Sequence, residues 1–234
     1  EDGIRDSSVT GVQTCALPIS HPVFVKEAKG ARFTDIDGNT YVDFCLGDTG
    51  SMTGHSPDAT VAAIREQVGK GITAMLPTED AAIVSGLLRE RFGLPLWQFT
   101  VSATDANRHA IRYSRMITGK AKIIVIDRCY HGSVDETFAT LDGQGQTVKR
   151  EGNIGAPVDL AVTTRVVEFN DLAGMEKALA HGDVATILME PAMTNIGIVL
   201  PDDGYLNGVQ TLAKKYGAFL IIDRKSTRLN SSHT

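Results

Sequence analysis

The run Ile123-Ile124-Val125-Ile126, followed at once by Asp127-Arg128-Cys129-Tyr130-His131-Gly132, decides how the rest of the chain is read. Apolar, β-branched residues in unbroken succession predict a strand covered on both faces, as in a parallel sheet with helices above and below. The polar, aromatic and glycine residues just after it predict a strand end that faces a ligand, because open α/β sheets bind ligands beyond the carboxyl ends of their strands. The same pattern recurs on both sides. Phe99 to Val101 runs into Ser102-Ala103-Thr104-Asp105-Ala106-Asn107, Thr186 to Met189 into Glu190-Pro191, and Phe219 to Ile222 into Asp223, with a further apolar run at Val166 to Phe169. Between the runs, Leu172, Met175 and Leu179 share one helical face, and Tyr205, Val209, Leu212 and Tyr216 share another.

Upstream, Ala31 to Phe44 predicts a hairpin turning at Asp37-Gly38-Asn39, followed by a Gly-rich loop from Gly47 to Pro57. Val61, Ile64 and Val68 predict a helix with Asp58 as its N-cap, and a second helix is expected after Thr78 with Ile83, Leu87 and Leu88 turned inward. Residues 21–223 contain no internal repeat and no low-complexity linker. The expected class is α/β, a mostly parallel central sheet with helices on both faces in three layers, incomplete at its end and preceded by a smaller N-terminal segment.

Composition narrows the function. At 234 residues with 42% hydrophobic content and a mean hydropathy of -0.05, the chain is a globular one able to bury a core, which excludes disordered and collagen-like classes. A net charge of -5 with scattered basic residues argues against nucleic acid or an anionic membrane surface and for a small-molecule substrate. No stretch approaches the roughly 20 apolar residues that span a bilayer, and no basic segment precedes an apolar run near residue 1, so a cytoplasmic location is expected. Cys15, Cys45 and Cys129 lack C-x-x-C spacing and histidine company, so they are expected to be reduced thiols and no metal site is expected.

The two ends read differently from the rest. Residues 1–20, with GVQTCALPI at Gly11 to Ile19, and residues 224–234, RKSTRLNSSHT, resemble translated sequencing-adapter read-through. They are set aside, with Cys15 and Lys225, and the natural chain is expected to continue past Asp223. The expected organisation is then a small-domain segment over 21–57 and a partial large ligand-binding domain over 58–223.

A helix starting at or near Thr104 would offer unpaired N–H groups and positive potential to a phosphate, with the Ser102 and Thr104 hydroxyls as further donors. Alternatively, Thr104 merely caps its helix. Together with an aromatic residue and a carboxylate at neighbouring strand ends, these groups suit a flat, phosphorylated, cationic heterocycle, and pyridoxal 5'-phosphate (PLP) is such a molecule. An aspartate beside its pyridine nitrogen would favour the protonated ring that acts as an electron sink.

Ser102-Ala103-Thr104-Asp105-Ala106-Asn107 resembles the S-G-T-E-A-N motif of class III aminotransferases, and Cys129-Tyr130-His131-Gly132 their aromatic-His-Gly motif. Gly54-His55-Ser56-Pro57 is similar to their G-H-x-H-P loop, Glu190-Pro191 through Asn195-Ile196-Gly197 to their E-P-x-x-x-N-x-G segment, and Leu220 to Asp223 to their aspartate-ending strand. The likeness runs from about residue 22 to Asp223, and Asn195 makes it strongest toward the glutamate-1-semialdehyde aminomutase branch. It implies the PLP-dependent transferase fold, with Ser102, Ala103 and Thr104 on the PLP phosphate, Tyr130 with His131 at the ring, and Asp223 on the pyridine nitrogen. Glu190 and Asn195 would lie near the ring hydroxyl or support Asp223. It also implies an amino donor, a carbonyl acceptor and a homodimer.

Two positions depart from the family pattern: Ala103 replaces a glycine, and Ser56 replaces the second histidine of the G-H-x-H-P loop. The lysine that carries the cofactor in this family follows the aspartate strand, so the chain as written is expected to be inactive and no catalytic residue is assigned within it. Taken singly, His55 and His131 read as structural histidines, Tyr130 as a core or rim aromatic and Glu190 as a strand end, whereas Asp223 is the strongest single residue, since a carboxylate closing a buried strand requires a partner, with helix capping as its alternative. Three rivals stand beside the transaminase or aminomutase reading: a PLP decarboxylase or racemase on the same scaffold, a Rossmann-type nucleotide-binding protein, and a non-catalytic scaffolding relative. The Rossmann reading is disfavoured because no G-x-G-x-x-G follows the first strand.

Overall fold

A computed structural model describes residues 23–47, 50–72, 75–153, 155 and 158–223. The two end runs set aside above, with Cys15 and Lys225, lie outside the described residues. The described residues form two compact units that divide between Gln98 and Phe99, whereas the sequence suggested a boundary between 57 and 58.

The first unit opens with an antiparallel sheet in the order β1 (Val25–Lys29), β2 (Arg32–Asp35), β3 (Thr40–Val42). β2 and β3 are the expected hairpin, and β1 is an addition. The turn is organised by Asp35, whose carboxylate accepts from the N–H groups of Asp37 (3.0 Å) and Asn39 (2.8 Å) and from the Tyr41 hydroxyl (2.9 Å). Phe33 and Tyr41 stack across the strands at 5.0 Å between ring centres. Helices α1 (Asp58–Lys70) and α2 (Glu79–Phe92) follow. Thr78 is the N-cap of α2, but that of α1 is Pro57, and Asp58 instead forms an ion pair with Lys29. The expected inward face of α2 is not covered: Ile83 and Leu87 are exposed, and neither helix holds a buried residue. Helical spacing shows which residues share a face, but what covers that face depends on tertiary context.

The second unit starts with α3 (Ala103–Thr118), β4 (Lys122–Ile126), a 3-10 turn over Asp135–Thr137 and a hairpin of β5 (Ala139–Leu141) and β6 (Thr147–Lys149). It continues through α4 (Leu160–Thr163), β7 (Thr164–Val167), α5 (Leu172–Leu179), β8 (Val184–Met189), α6 (Tyr205–Tyr216) and β9 (Phe219–Ile222). Its main sheet has the order β7-β4-β8-β9 and every pairing is parallel. Consecutive strand residues point to opposite faces, and Ile123, Ile124, Val125 and Ile126 are each at most 1% exposed, so the sheet is covered on both sides as the sequence implied. Burying each of these side chains contributes about 2 kcal/mol before conformational entropy is counted. α5 and α6 pack on each other, and Phe169 meets Tyr205 edge to face at 5.0 Å.

Two expected strands differ. Phe99 to Val101 lies outside the sheet as an irregular lead-in to α3, with Val101 97% exposed. A three-residue run supplies few ladder bonds, and whether a partner edge stands beside it is not encoded in the run itself. β7 ends at Val167, so Phe169 lies beyond it, where Asn170 turns the chain in a left-handed conformation before α5. The β5–β6 hairpin was not anticipated.

Candidate functional site

α3, the chain leaving β4 and the end of β9 converge on one network within the second unit. The Asp223 carboxylate accepts from Asn107 Nδ2 of α3 at 2.9 Å and faces His131 Nδ1 at 2.9 Å. The same Asn107 amide reaches the His131 carbonyl at 3.1 Å. The Asp223 N–H donates to the Met189 carbonyl (2.8 Å), which continues the β8–β9 ladder and fixes the acid at the strand end. Asp223 therefore binds a histidine and a helix asparagine in this chain, and His131, 1% exposed, is the structural partner of that acid.

α3 begins beside this network. Ser102 is its N-cap, accepting from Asp105 N–H (3.1 Å) and donating to the Asp105 carboxylate (2.9 Å). Capping thus belongs to Ser102. Thr104 is the second helical residue, and its hydroxyl accepts from the Ser133 N–H at 3.0 Å. Ala103 has helical, negative φ, so its methyl group is tolerated where the family has glycine. The Ala103 and Thr104 N–H groups, in the first turn, have no intrahelical partner. Gly132 has φ +77, and a Cβ there would overlap the Thr104 hydroxyl and lie 3.2 Å from Thr104 Cα, which ties the aromatic-His-Gly segment closely to the helix tip.

Burial disfavours the charged imidazole of His131, but the Cys129 sulfur and the Asp223 carboxylate outweigh it and push its pKa up to about 10. Glu190, just past β8 and 5% exposed, is also pushed up: burial raises its carboxyl, the Thr194 hydroxyl (2.7 Å) and His131 pull it back, and Asp223 adds to the rise. Asn195 donates to the Arg128 carbonyl at 2.9 Å and so belongs to the same strand-end cluster. Tyr130 is half-buried between Cys129 and His131.

All eight residues singled out in the sequence thus lie at the carboxyl end of this sheet or at the start of α3. Asn107 was quoted inside its motif but given no role; the structure buries it with Ile111 and Ser114 along α3, and its spacing from Ile111 on one helical face was the signal the sequence held. Arg150, which donates to the Cys129 carbonyl at 2.6 Å, had no signal in the sequence. In the first unit, His55 pairs with Asp43 at 2.7 Å. Among the described residues, no cluster of His, Cys, Asp and Glu could hold a metal ion, Cys45 and Cys129 are free thiols, and no helix is long and apolar enough to cross a membrane.

The family model for aminotransferase class-III matches residues 16–227, which disfavours the Rossmann alternative. The glutamate-1-semialdehyde 2,1-aminomutase of Methanothrix thermoacetophila is 34% identical over 208 residues, 88% of this chain and 48% of that protein. That of Thermoplasma volcanium is 35% identical over 211 residues, 88% of this chain and 50% of its own. Among solved structures, a glutamate-1-semialdehyde aminomutase from Pseudomonas aeruginosa PAO1 superposes with a TM-score of 0.86 at 52% identity, over 88% of this chain and 46% of that one. A lysine-to-alanine variant of that enzyme was solved in complex with PMP. An omega-transaminase from Sphaerobacter thermophilus gives 0.81 at 28% identity, over 92% and 50%. This chain spans about half the length of the curated relatives it matches.

Proposed function

We propose, from the premise that this chain belongs to the class III aminotransferase family, that the whole protein moves an amino group between an amine and a carbonyl compound with PLP, as an aminomutase or transaminase. The observation that supports this best is the Asp223–His131–Asn107 cluster beside the start of α3. It ties the strand-end acid through Asn107 to the helix whose first turn suits a phosphate.

In this reading the Ala103 and Thr104 N–H groups and the Thr104 hydroxyl bind the phosphate. Ser102 shapes that tip, because its own hydroxyl hydrogen is directed to Asp105. Tyr130 would cover the ring, and Asp223, held by His131 and Asn107, would pair with the pyridine nitrogen. When bound, PLP supplies the electron sink for breaking a bond at the amine carbon. Glu190 and Asn195 would lie near the ring hydroxyl or support Asp223, with burial pushing the Glu190 carboxyl up. The substrates are an amino donor and a carbonyl acceptor, joined in one molecule for an aminomutase. A cytosolic homodimer is the proposed assembly.

Adding PLP to the full-length protein should give a visible absorbance band that shifts when an amine donor is supplied, and Asp223→Ala should weaken PLP binding by at least tenfold. Absence of a band, or an Asp223→Ala variant that binds PLP as well as the parent, overturns the reading. Conversion of a single amino-aldehyde without added keto acid separates aminomutase from transaminase.

A further inference from the structure

Three carbonyls in the turn after β4 are each held by a side chain from a different element. Asn195 donates to Arg128 O (2.9 Å), Arg150 to Cys129 O (2.6 Å) and Asn107 to His131 O (3.1 Å). The turn needs such restraint: Arg128 has φ +58, left-handed for a non-glycine residue, a conformation that persists only where surrounding contacts over-determine it. Asn107 and Asn195 come from motifs of the site itself. Arg150 comes from the end of β6, on a hairpin outside the parallel sheet.

The hairpin grips this turn at a second point. Asp127, the first residue after β4, accepts from Thr140 Oγ1 (2.6 Å) and Leu141 N–H (3.0 Å) of β5 through one carboxylate oxygen. Arg150 is also unusual as a cation. It is half-buried, it forms no ion pair among the described residues, and its Nε is buried with no hydrogen-bond partner. A partly buried guanidinium without a carboxylate stays where it is through the bonds it makes, and its bond to Cys129 O is short and charge-assisted.

We infer that Arg150 is a positioning residue, which acts through the Cys129 carbonyl to hold Tyr130 and His131 in place for the ring and for Asp223. The inference rests on the proposed PLP site, but its test has an arm that does not need the cofactor. Arg150→Met keeps the aliphatic stem and removes the donor, Arg150→Lys keeps a donor and the charge, and Lys149→Met on the same hairpin is the control.

Losing one charge-assisted bond, on the order of 1.4 kcal/mol, corresponds to about tenfold. In the chain without cofactor, Arg150→Met should raise amide exchange at 129–132 about tenfold and leave 123–126 unchanged. In the full-length protein it should weaken PLP binding about tenfold. Arg150→Lys should recover most of both, and Lys149→Met should change neither. Unchanged exchange at 129–132, an equal rise at 123–126, or no recovery with lysine overturns the inference. If the parent protein binds no PLP, the functional reading fails while the exchange result still decides the role of Arg150.

Discussion

Asp223 and His131 make a pair whose pH dependence can be signed. The His131 pKa in the folded chain, about 10, stands above its ordinary value of 6.5. The stabilisation is therefore fully present below pH 6.5 and is lost as pH rises toward 10. Urea unfolding across that window should show a falling midpoint, and Asp223→Asn, which keeps an acceptor but removes the charge, should flatten the fall. Parallel curves for the two proteins would mean the pair contributes no such linkage. Gly132 makes a second residue-scale prediction: Gly132→Ala places a side chain at positive φ against Thr104 and should cost about 2 kcal/mol or more in denaturant unfolding. These residues were legible because they sit in motifs directly after apolar runs. Arg150 was not, since its contact with Cys129 spans 21 positions and depends on a hairpin whose short strands leave little periodic trace.

Among elements, α3 carries the most chemistry on its first turn. Ser102→Ala removes the cap on Asp105 N–H and should destabilise the chain by about 1 kcal/mol, measured by urea titration. Because Asp105 would then lose its hydroxyl partner and turn freely toward the helix tip, PLP affinity of the full-length protein should fall as well. An Asp171→Ala change at the cap of α5, where the carboxylate accepts from Gly174 N–H at 2.8 Å, should cost a similar amount of stability and leave PLP affinity alone. Apolar strands were the best-read elements: β4, β8 and β9 fall where apolar runs put them, β4 and β8 buried on both faces and β9 half-covered with Phe219 and Ile222 exposed. Phe99 to Val101 has the same composition but no place in the sheet, and Ile83 and Leu87 share a helical face that nothing described covers. In each case composition records an apolar surface and leaves its partner unspecified.

At the scale of the molecule, burial is distributed unequally. The fully buried strands all lie in residues 99–223, whereas α1 and α2 hold no buried residue. Hydrogen exchange should therefore be slowest in β4 and β8 and fast throughout α1 and α2, a gradient of local stability readable by mass spectrometry. Uniform protection over both units would contradict it. The strand order has a further consequence for how the chain is made. β4 leaves the ribosome before its sheet partners, β7 then pairs on one flank of it, β8 on the other, and β9 on β8. Among the described strands, each newborn strand thus meets an edge that already exists, so these four pair outward from β4 in the order in which they are made. Among the described strands, the acid at 223 is positioned after β4, β7 and β8 are paired, against a histidine and an asparagine that were translated long before it.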